Sequence, residues 1–198
     1  VVFDFFIRYL KYLNYSVLFV RNITDIDDKI IEKSQEKNIN YRELGDNVWN
    51  EFVLAHENLN CLAPNIEPRA TAYIPEIIKY IEQLILKGFG YVTSSGVYYD
   101  VSQFEEYLEL SGRSIEEVRT GTRVETEEDK KRAEDFALWK FSKEGEPSWD
   151  SPWGDGRPGW HIECSTMISE TLGKTIDFHC GGIDLIFPHH ENEIAQSK

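Results

Sequence analysis

Residues 15–31 read Y-S-V-L-F-V-R-N-I-T-D-I-D-D-K-I-I and indicate the fold class. The β-branched and aromatic residues at 15–23 are typical of a buried strand, and a helix is predicted to begin at Thr24. Ligands bind where the strands of open parallel α/β sheets end, so Thr24 is expected near a pocket. Alternatively, Thr24 could be the N-cap of the predicted helix. The stretch therefore predicts an α/β fold with a parallel sheet.

The spacing of apolar residues predicts the other helices and strands. Helices are predicted at 3–13, 41–62, 71–86, 161–172 and from 187 onward, a hairpin at 91–101, and a short strand at 174–178. The strand at 174–178 would deliver the polar residues that follow it to the same edge of the sheet as Thr24.

Three segments late in the sequence contain residue types that bind metals. They are W-H-I-E-C at 160–164, H-C-G-G-I-D at 179–184 and F-P-H-H-E-N-E at 187–193. Zinc accepts thiolate, imidazole and carboxylate ligands, and residues four apart on a helix face the same point. His189 and Glu193 have this spacing, and Cys164 could supply a third ligand. Three protein ligands are typical of an open zinc site, in which water or substrate takes the fourth position.

The same residues also have a purely structural interpretation. Cys164 could be a small buried hydrophobic residue, and His189 and Glu193 could form a pair on a helix surface. For the cluster as a whole, we favour metal binding. A zinc protease is excluded, because an H-E-x-x-H motif starting at His190 would need a histidine where Ile194 stands.

Longer stretches of the sequence resemble the cysteinyl-tRNA synthetase family. They are G-R-P-G-W-H-I-E-C-S at 156–165, F-P-H-H-E-N-E-I-A-Q-S at 187–197, V-R-N-I-T-D-I-D-D-K-I-I at 20–31, E-P-R-A-T at 67–71 and W-K-F-S-K-E-G-E-P-S-W at 139–149. The resemblance therefore covers nearly the whole chain.

The resemblance implies the fold and the domain organisation. The implied fold is a Rossmann-like, parallel-sheet nucleotide-binding catalytic domain that is split by an inserted subdomain. We expect the first half of the catalytic domain at 1–88, the acidic and turn-rich insertion at 89–155, and the second half at 156–198.

The resemblance also implies roles for individual residues. The positions that match the family's zinc ligands are Cys164, His189 and Glu193, with one Zn²⁺ per chain. The positions that match its cysteine pocket are Thr24, Trp160, His179 and Asp184, with Trp160 as a wall and Asp184 facing the substrate ammonium group. In this family zinc binds the substrate thiolate, which the hydroxyl of serine cannot imitate. An editing domain is therefore not expected.

The implied reaction is the activation of L-cysteine by ATP, with Mg²⁺, to cysteinyl adenylate, followed by transfer to tRNA(Cys). No catalytic protein nucleophile is expected, because this chemistry depends on orientation and electrostatics. Family members also contain an N-terminal zinc-ligand cysteine, an H-I-G-H-like motif, a K-M-S-K-S-like loop and an anticodon-binding domain. This sequence has no counterpart of these features. We therefore expect activity from a complete enzyme and none from this stretch alone.

Two other functions stay open at this point. The first is a cysteine ligase of the mycothiol pathway, which transfers the activated cysteine to an amino sugar from a similar zinc pocket. The second is a zinc-stabilised binding module without catalysis, which would have a closed metal site that is indifferent to free cysteine.

Composition places further limits on the function. The 198 residues are 41% hydrophobic and 13% aromatic, which is enough for a packed core. The formal net charge of -14, without a stripe rich in Lys and Arg, indicates that most tRNA contact comes from other parts of the enzyme. The three cysteines do not resemble a disulfide framework, the first residues lack the basic, apolar and small-residue pattern of a signal peptide, and the sequence contains no run of about 18 apolar residues. We expect a cytoplasmic monomer without membrane contact.

Overall fold

The computed structural model describes residues 1–121 and 129–198. Within them the chain divides into two compact units, Val1–Ala72 and Tyr73–Lys198. Positions 122–128, which belong to the predicted insertion, lie outside the described residues. The three-part domain organisation stays a prediction.

Helices make up most of the first unit. α1 is Val2–Tyr12, α2 is Asp28–Lys37, α3 is Tyr41–Asn58, and a 3-10 turn at Ala70–Ala72 ends the unit. Ile7 of α1, Ile31 of α2 and Leu44 of α3 are buried, so each helix contributes an apolar face. The helices predicted at 3–13 and 41–62 are confirmed, with slightly different ends.

The strand predicted at 15–23 is wrong. In the described first unit, this segment forms isolated parallel bridges, between Val20 and Ile66 and between Ile23 and Arg69. A regular strand needs a continuous ladder of hydrogen bonds to its neighbour. The partner segment cannot supply it, since it contains Pro68, which has no N–H to donate.

The helix predicted to begin at Thr24 begins later, as α2. The Asp27 side chain accepts a hydrogen bond from the Lys29 N–H and caps this helix, so Thr24 is not its N-cap. The Asp25 carboxylate accepts hydrogen bonds from the N–H of Thr71 at 2.9 Å and from its hydroxyl at 2.6 Å. Side-chain contacts therefore hold the residues before α2 outside the helix.

The second unit opens with a helix that is followed by a sheet. The elements are α4, Ile74–Leu86; β1, Gly90–Val92; β2, Gly96–Tyr99; β3, Phe136–Phe141; and β4, Gly156–Pro158. The strands pair in the order β1-β2-β3-β4, and each pairing is antiparallel. The helix predicted at 71–86 and the hairpin predicted at 91–101 are confirmed as α4 and the β1–β2 pair.

The predicted α/β fold class is confirmed only as a mixed structure of helices and sheet. Among the described residues, the sheet is antiparallel, and the isolated parallel pairing lies in the first unit. The Rossmann-like parallel sheet and the insertion are therefore not confirmed. A parallel sheet requires long crossover connections between strands that run in the same direction, whereas β1 and β2 are joined by a tight turn.

The core of the second unit lies between α4 and the sheet. Apolar residues of α4 recur at helical spacing and are buried, namely Ile74, Ile77, Ile81 and Leu84. They belong to one cluster with buried side chains of β2 and β3, namely Val97, Tyr99, Leu138 and Trp139. Ile162 and Ala195 belong to the same cluster, so the core extends to the two later helices that contain these residues.

Three later helices are α5, Ile115–Gly121; α6, Trp160–Leu172; and α7, Glu191–Ser197. α6 confirms the helix predicted at 161–172. The helix predicted from 187 becomes regular only in α7, because Phe187 has non-helical φ and ψ angles of -133° and 133°. Within the part of the chain that the structure describes, residues 174–178 pair with no neighbouring strand, so the strand predicted there is wrong. In the described ranges, each helix falls short of the length or hydrophobicity that a bilayer-spanning helix requires.

Asp129 stabilises the turn between β1 and β2 and gives a testable pH dependence. Its carboxylate accepts hydrogen bonds from the Ser94 hydroxyl at 2.6 Å and from the Ser95 N–H at 2.9 Å. The hydrogen bond from Ser94 is the main reason why the pKa of Asp129 falls from 3.8 to about 2. A carboxylate with a lowered folded pKa stabilises the fold above its unfolded pKa and loses this effect as the pH falls through the folded pKa.

We therefore expect Asp129→Asn to flatten the decrease in unfolding free energy between about pH 4 and about pH 2. Urea unfolding at several pH values in this range measures the decrease. Asp150→Asn, which changes an exposed carboxylate, is the control and should keep the wild-type profile. An equally steep decrease in Asp129→Asn would contradict the role of Asp129.

Candidate metal centre

α6 begins directly at the edge of the sheet, and Gly159 makes this close approach possible. The Gly159 N–H donates a hydrogen bond to the Leu138 carbonyl of β3 at 2.9 Å. A Cβ at Gly159 would lie 2.0 Å from the Ala137 carbonyl oxygen, so no side chain fits there. The next residue opens α6, whose first two turns carry His161 and Cys164. The contact with β3 therefore positions both side chains.

Polar contacts hold α7 against the sheet and against α6. The Tyr99 hydroxyl of β2 donates a hydrogen bond to the Ala195 carbonyl at 2.7 Å. Gln196 Nε2 donates to the His161 carbonyl at 3.1 Å and to Ser165 Oγ at 2.8 Å. Because the last two acceptors belong to α6, these bonds fix the spacing between the two helices.

The structure brings Cys164, His189 and Glu193 together. All three residues are buried, and their candidate ligand atoms lie within 4.8 Å of one another. His189 Nε2 is 3.5 Å from Glu193 Oε2. Glu193 Oε1 is buried and has no hydrogen-bond partner within the described ranges. Burying such an oxygen is costly unless a donor or a cation lies nearby, so this donor set fits a metal ion such as zinc.

Burial controls the protonation of this group. It raises the pKa of the Cys164 thiol well above the usual range, and the neighbouring Glu193 carboxylate raises it further. Burial also lowers the pKa of His189, which favours the neutral imidazole that ligates metals. A bound cation would lower the pKa of the thiol again, since it stabilises the thiolate.

Glu193 also belongs to a second group of candidate ligands, with His179 and His190. The ligand atoms of this second group likewise lie within 4.8 Å of one another. His179 Nε2 donates a hydrogen bond to Glu193 Oε2 at 2.8 Å, and this bond raises the pKa of His179. His179 is exposed and His190 is half-buried, whereas Cys164 and His189 are buried. The second group is therefore on the solvent side of the first.

The residues predicted to bind the substrate differ in their surroundings. Trp160 is 40% exposed, and its ring centroid lies 4.3 Å from that of His189. Asp184 is exposed in a 3-10 turn. Thr24 lies in the first unit, half-buried ahead of α2. The contribution of these residues and of His179 to a cysteine pocket stays a prediction.

Two residues next to the ligand group, His161 and Gln196, were not predicted from the sequence. His161 Nδ1 lies 2.9 Å from His189 Nδ1, and burial lowers the pKa of His161 to about 3. His161 precedes Cys164 by one turn of α6, and this spacing on one helix face could have indicated its position. Gln196 follows Glu193 by the same spacing on α7, but its hydrogen bonds to α6 depend on how the two helices pack and could not be predicted from this spacing.

Glu191 connects α7 to a loop that follows β2. Its side chain is buried, and its carboxylate accepts hydrogen bonds from the Leu108 N–H at 3.0 Å and the Ser111 N–H at 2.8 Å. The next residue, Asn192, accepts a hydrogen bond from the Tyr107 hydroxyl at 2.6 Å. Two consecutive residues of α7 therefore attach this helix to the loop.

We expect Glu191→Ala to destabilise the second unit, because two backbone N–H groups lose their acceptor. An unsatisfied buried donor costs about 1–3 kcal/mol, so the loss of the acceptor for two donors should lower the unfolding free energy by about 2–6 kcal/mol. Urea unfolding measures this difference. Glu170→Ala, at an exposed position of α6, is the control and should stay within about 0.5 kcal/mol of the wild type. Equal stability of the two variants would contradict the anchoring role of Glu191.

A family model and individual relatives both match the chain over nearly its whole length, and both are tRNA synthetases or tRNA ligases by description. The sequence model of a family described as the catalytic domain of class I (C) tRNA synthetases matches residues 1–198. A cysteine–tRNA ligase of Desulfotalea psychrophila is 54% identical over 196 residues, which cover 99% of this chain and 40% of the relative. A protein of the same name from Aquifex aeolicus is 51% identical over 198 residues, which cover 100% of this chain and 40% of the relative. A third, from Actinobacillus pleuropneumoniae, is 54% identical over 198 residues, which cover 100% of this chain and 43% of the relative. The chain thus spans about two fifths of the length of these relatives.

Proposed function

Because the chain belongs to the family of class I (C) tRNA synthetase catalytic domains, we propose that it provides the amino-acid site of a cysteine–tRNA ligase. The proposed substrates are L-cysteine, ATP with Mg²⁺, and tRNA(Cys). The relatives that carry this name are longer than the chain, so the proposal concerns the activity of a whole protein. The chain contributes the residues that recognise cysteine.

One observation carries the proposal, namely the meeting of a thiol, an imidazole and a carboxylate at one buried point. Cys164, His189 and Glu193 would hold one zinc ion. When bound, zinc would supply an acceptor for the substrate thiolate that the hydroxyl of serine cannot replace. An apolar pocket alone distinguishes cysteine from serine only weakly, because the two side chains are similar in size.

Four further residues are proposed to bind the rest of the cysteine molecule. Trp160, whose ring lies against that of His189, is proposed as an aromatic wall. Asp184 is proposed to bind the substrate ammonium group, since an exposed carboxylate forms a charge-assisted hydrogen bond with it. His179 and Thr24 are proposed as further pocket residues on the basis of their family positions.

In the proposed reaction, a carboxylate oxygen of cysteine attacks the α-phosphorus of ATP, and pyrophosphate leaves. A terminal ribose hydroxyl of tRNA(Cys) then attacks the carbonyl carbon of the adenylate, and AMP leaves. No residue of this chain forms a covalent bond to the substrate, because binding and orientation account for such steps. We also propose that a Rossmann-like sheet binds the nucleotide and that 89–155 is an insertion between the catalytic segments 1–88 and 156–198.

Cobalt substitution tests the recognition of the thiol with this chain. Thiolate coordination gives Co²⁺ a strong charge-transfer absorption, which changes when a further thiolate binds. We expect added L-cysteine to increase this absorption and L-serine at the same concentration to leave it unchanged. A non-catalytic module with a closed metal site would respond to neither amino acid, and that result would contradict the proposal.

Cysteine-dependent exchange of pyrophosphate into ATP tests activation in the whole protein. Acceptor assays with tRNA(Cys) and with an amino sugar then distinguish the ligase from an amino-sugar cysteine ligase. We expect transfer to tRNA(Cys), because the relatives compared above are named cysteine–tRNA ligases. Transfer to the amino sugar instead would overturn the proposed acceptor but not the proposed metal centre.

A further inference from the structure

We propose that His161 is a positioning residue that fixes the tautomer of His189 for metal binding. This inference rests on the proposed function, because it takes His189 as a metal ligand. His161 does not itself belong to either group of candidate ligands. It would act through the ring of His189 alone.

The two imidazole rings meet through their Nδ1 atoms. These atoms are 2.9 Å apart, which is a hydrogen-bond distance. Two N–H groups or two lone pairs would repel each other at this distance, so one nitrogen donates and the other accepts. A neutral imidazole has one donor and one acceptor nitrogen, so the tautomer of one ring dictates that of the other.

The direction of this hydrogen bond follows from the opposite side of the His189 ring. His189 Nε2 lies 3.5 Å from Glu193 Oε2 and faces the buried ligand group. A nitrogen that binds a metal carries no hydrogen, so the hydrogen of His189 must lie on Nδ1. His161 Nδ1 must then accept, which places the hydrogen of His161 on Nε2.

The surroundings of His161 hold its ring in this orientation. The ring packs edge-on against Phe136, with 5.5 Å between the centroids, and lies 5.4 Å from the Trp160 ring. Gln196 Nε2 donates hydrogen bonds both to the His161 carbonyl and to Ser165 Oγ. The backbone and the ring of His161 are therefore fixed by contacts that are independent of His189.

Removing the acceptor is expected to weaken metal binding. His161→Phe keeps an aromatic ring but leaves the His189 N–H without its acceptor. Outer partners of metal-ligating histidines are worth about 10–100-fold in affinity, so we expect this variant to bind Co²⁺ and Zn²⁺ about 10–100-fold more weakly. His161→Asn carries an acceptor oxygen on Cγ, where histidine carries Nδ1, and should remain within about threefold of the wild type.

Competition with a chromophoric chelator measures these affinities in the 198-residue chain. His56→Phe changes a histidine of the first unit whose Nδ1 contacts the Phe52 carbonyl, and it is the matched control. This control should keep the wild-type affinity. The inference is wrong if His161→Phe binds metal as tightly as the wild type, or if His161→Asn loses as much affinity as His161→Phe.

The tautomers can also be observed directly in the wild-type chain. Long-range proton–nitrogen correlations on isotope-labelled histidine distinguish a protonated ring nitrogen from an unprotonated one. In the zinc-loaded chain, we expect His161 to carry its hydrogen on Nε2 and His189 to carry it on Nδ1. A hydrogen on His161 Nδ1 would overturn the inference, even if His161→Phe failed to fold.

The outcomes separate this inference from the proposed function. If a chain that also carries the family's N-terminal cysteine binds no stoichiometric Co²⁺, or if Cys164→Ala binds it equally well, the metal centre is wrong and the role of His161 falls with it. If Cys164→Ala loses the metal while His161→Phe keeps wild-type affinity, only the role of His161 is wrong.

Discussion

Replacing Cys164 with alanine is expected to abolish stoichiometric zinc binding by the chain. The thiol is one of three donors that lie within 4.8 Å of one another, and it is the softest of them. Loss of a residue that only hydrogen-bonds to a metal ligand already lowers the affinity for the metal by up to about 100-fold. Loss of a ligand itself should lower this affinity further. Elemental analysis after gel filtration measures the bound zinc, and chelator competition measures the affinity.

The other two cysteines provide matched controls for this experiment. Cys61→Ala and Cys180→Ala each remove a thiol that is outside the candidate ligand groups. Both variants should retain zinc, whereas His189→Ala should behave like Cys164→Ala. Zinc should also raise the unfolding temperature of the wild type but not of Cys164→Ala, because only a folded chain that binds the metal is stabilised by it. Retention of zinc by Cys164→Ala would refute the assignment.

The second large effect is expected for Gly159→Ala, which should lower the unfolding free energy of the second unit by about 3 kcal/mol or more. The new Cβ would lie 2.0 Å from the Ala137 carbonyl oxygen and 2.8 Å from its carbonyl carbon. Both atoms are backbone atoms of β3, so they cannot move without disturbing the sheet. The φ angle of Gly159 is -70°, so the effect comes from lack of space and not from backbone strain.

A glycine in open space provides the control for this variant. Gly45 lies within α3, and a Cβ added there would meet no atom within 4 Å, so alanine fits. Because alanine is the better helix former, Gly45→Ala should raise the unfolding free energy by about 1 kcal/mol. Urea unfolding of both variants should therefore give changes of opposite sign. Wild-type stability of Gly159→Ala would show that α6 does not depend on the close approach to β3.

Local patterns in the sequence predicted the helices well. The apolar spacing of α4 appears as a row of buried isoleucines, and α6 was expected within one residue of its observed start. The β1–β2 hairpin was likewise predicted from alternation around a turn. Such predictions succeed because helical periodicity and turn chemistry depend on neighbouring residues.

The same reasoning failed for the strands predicted at 15–23 and 174–178, because a strand outside a hairpin depends on a partner elsewhere in the chain. The apolar residues at 15–23 resemble a strand, yet they form only isolated bridges because the neighbouring segment includes Pro68. The residues at 174–178 also have no partner strand among the residues described, 1–121 and 129–198. Conversely, β4 forms from the glycine- and proline-containing residues at 156–158, since β3 lies beside them. The β-propensity of the residues alone therefore could not predict which segments form the sheet.

The candidate ligands Cys164, His189 and Glu193 could be recognised from residue type and spacing alone, because thiol, imidazole and carboxylate are the donors that zinc accepts. The pairing of His161 with His189, and the anchoring of α7 by Glu191, could not be recognised in this way. They depend on distances between residues that are far apart in the sequence. Such distances follow from the packing of α6 and α7 on a common core, which no local pattern specifies.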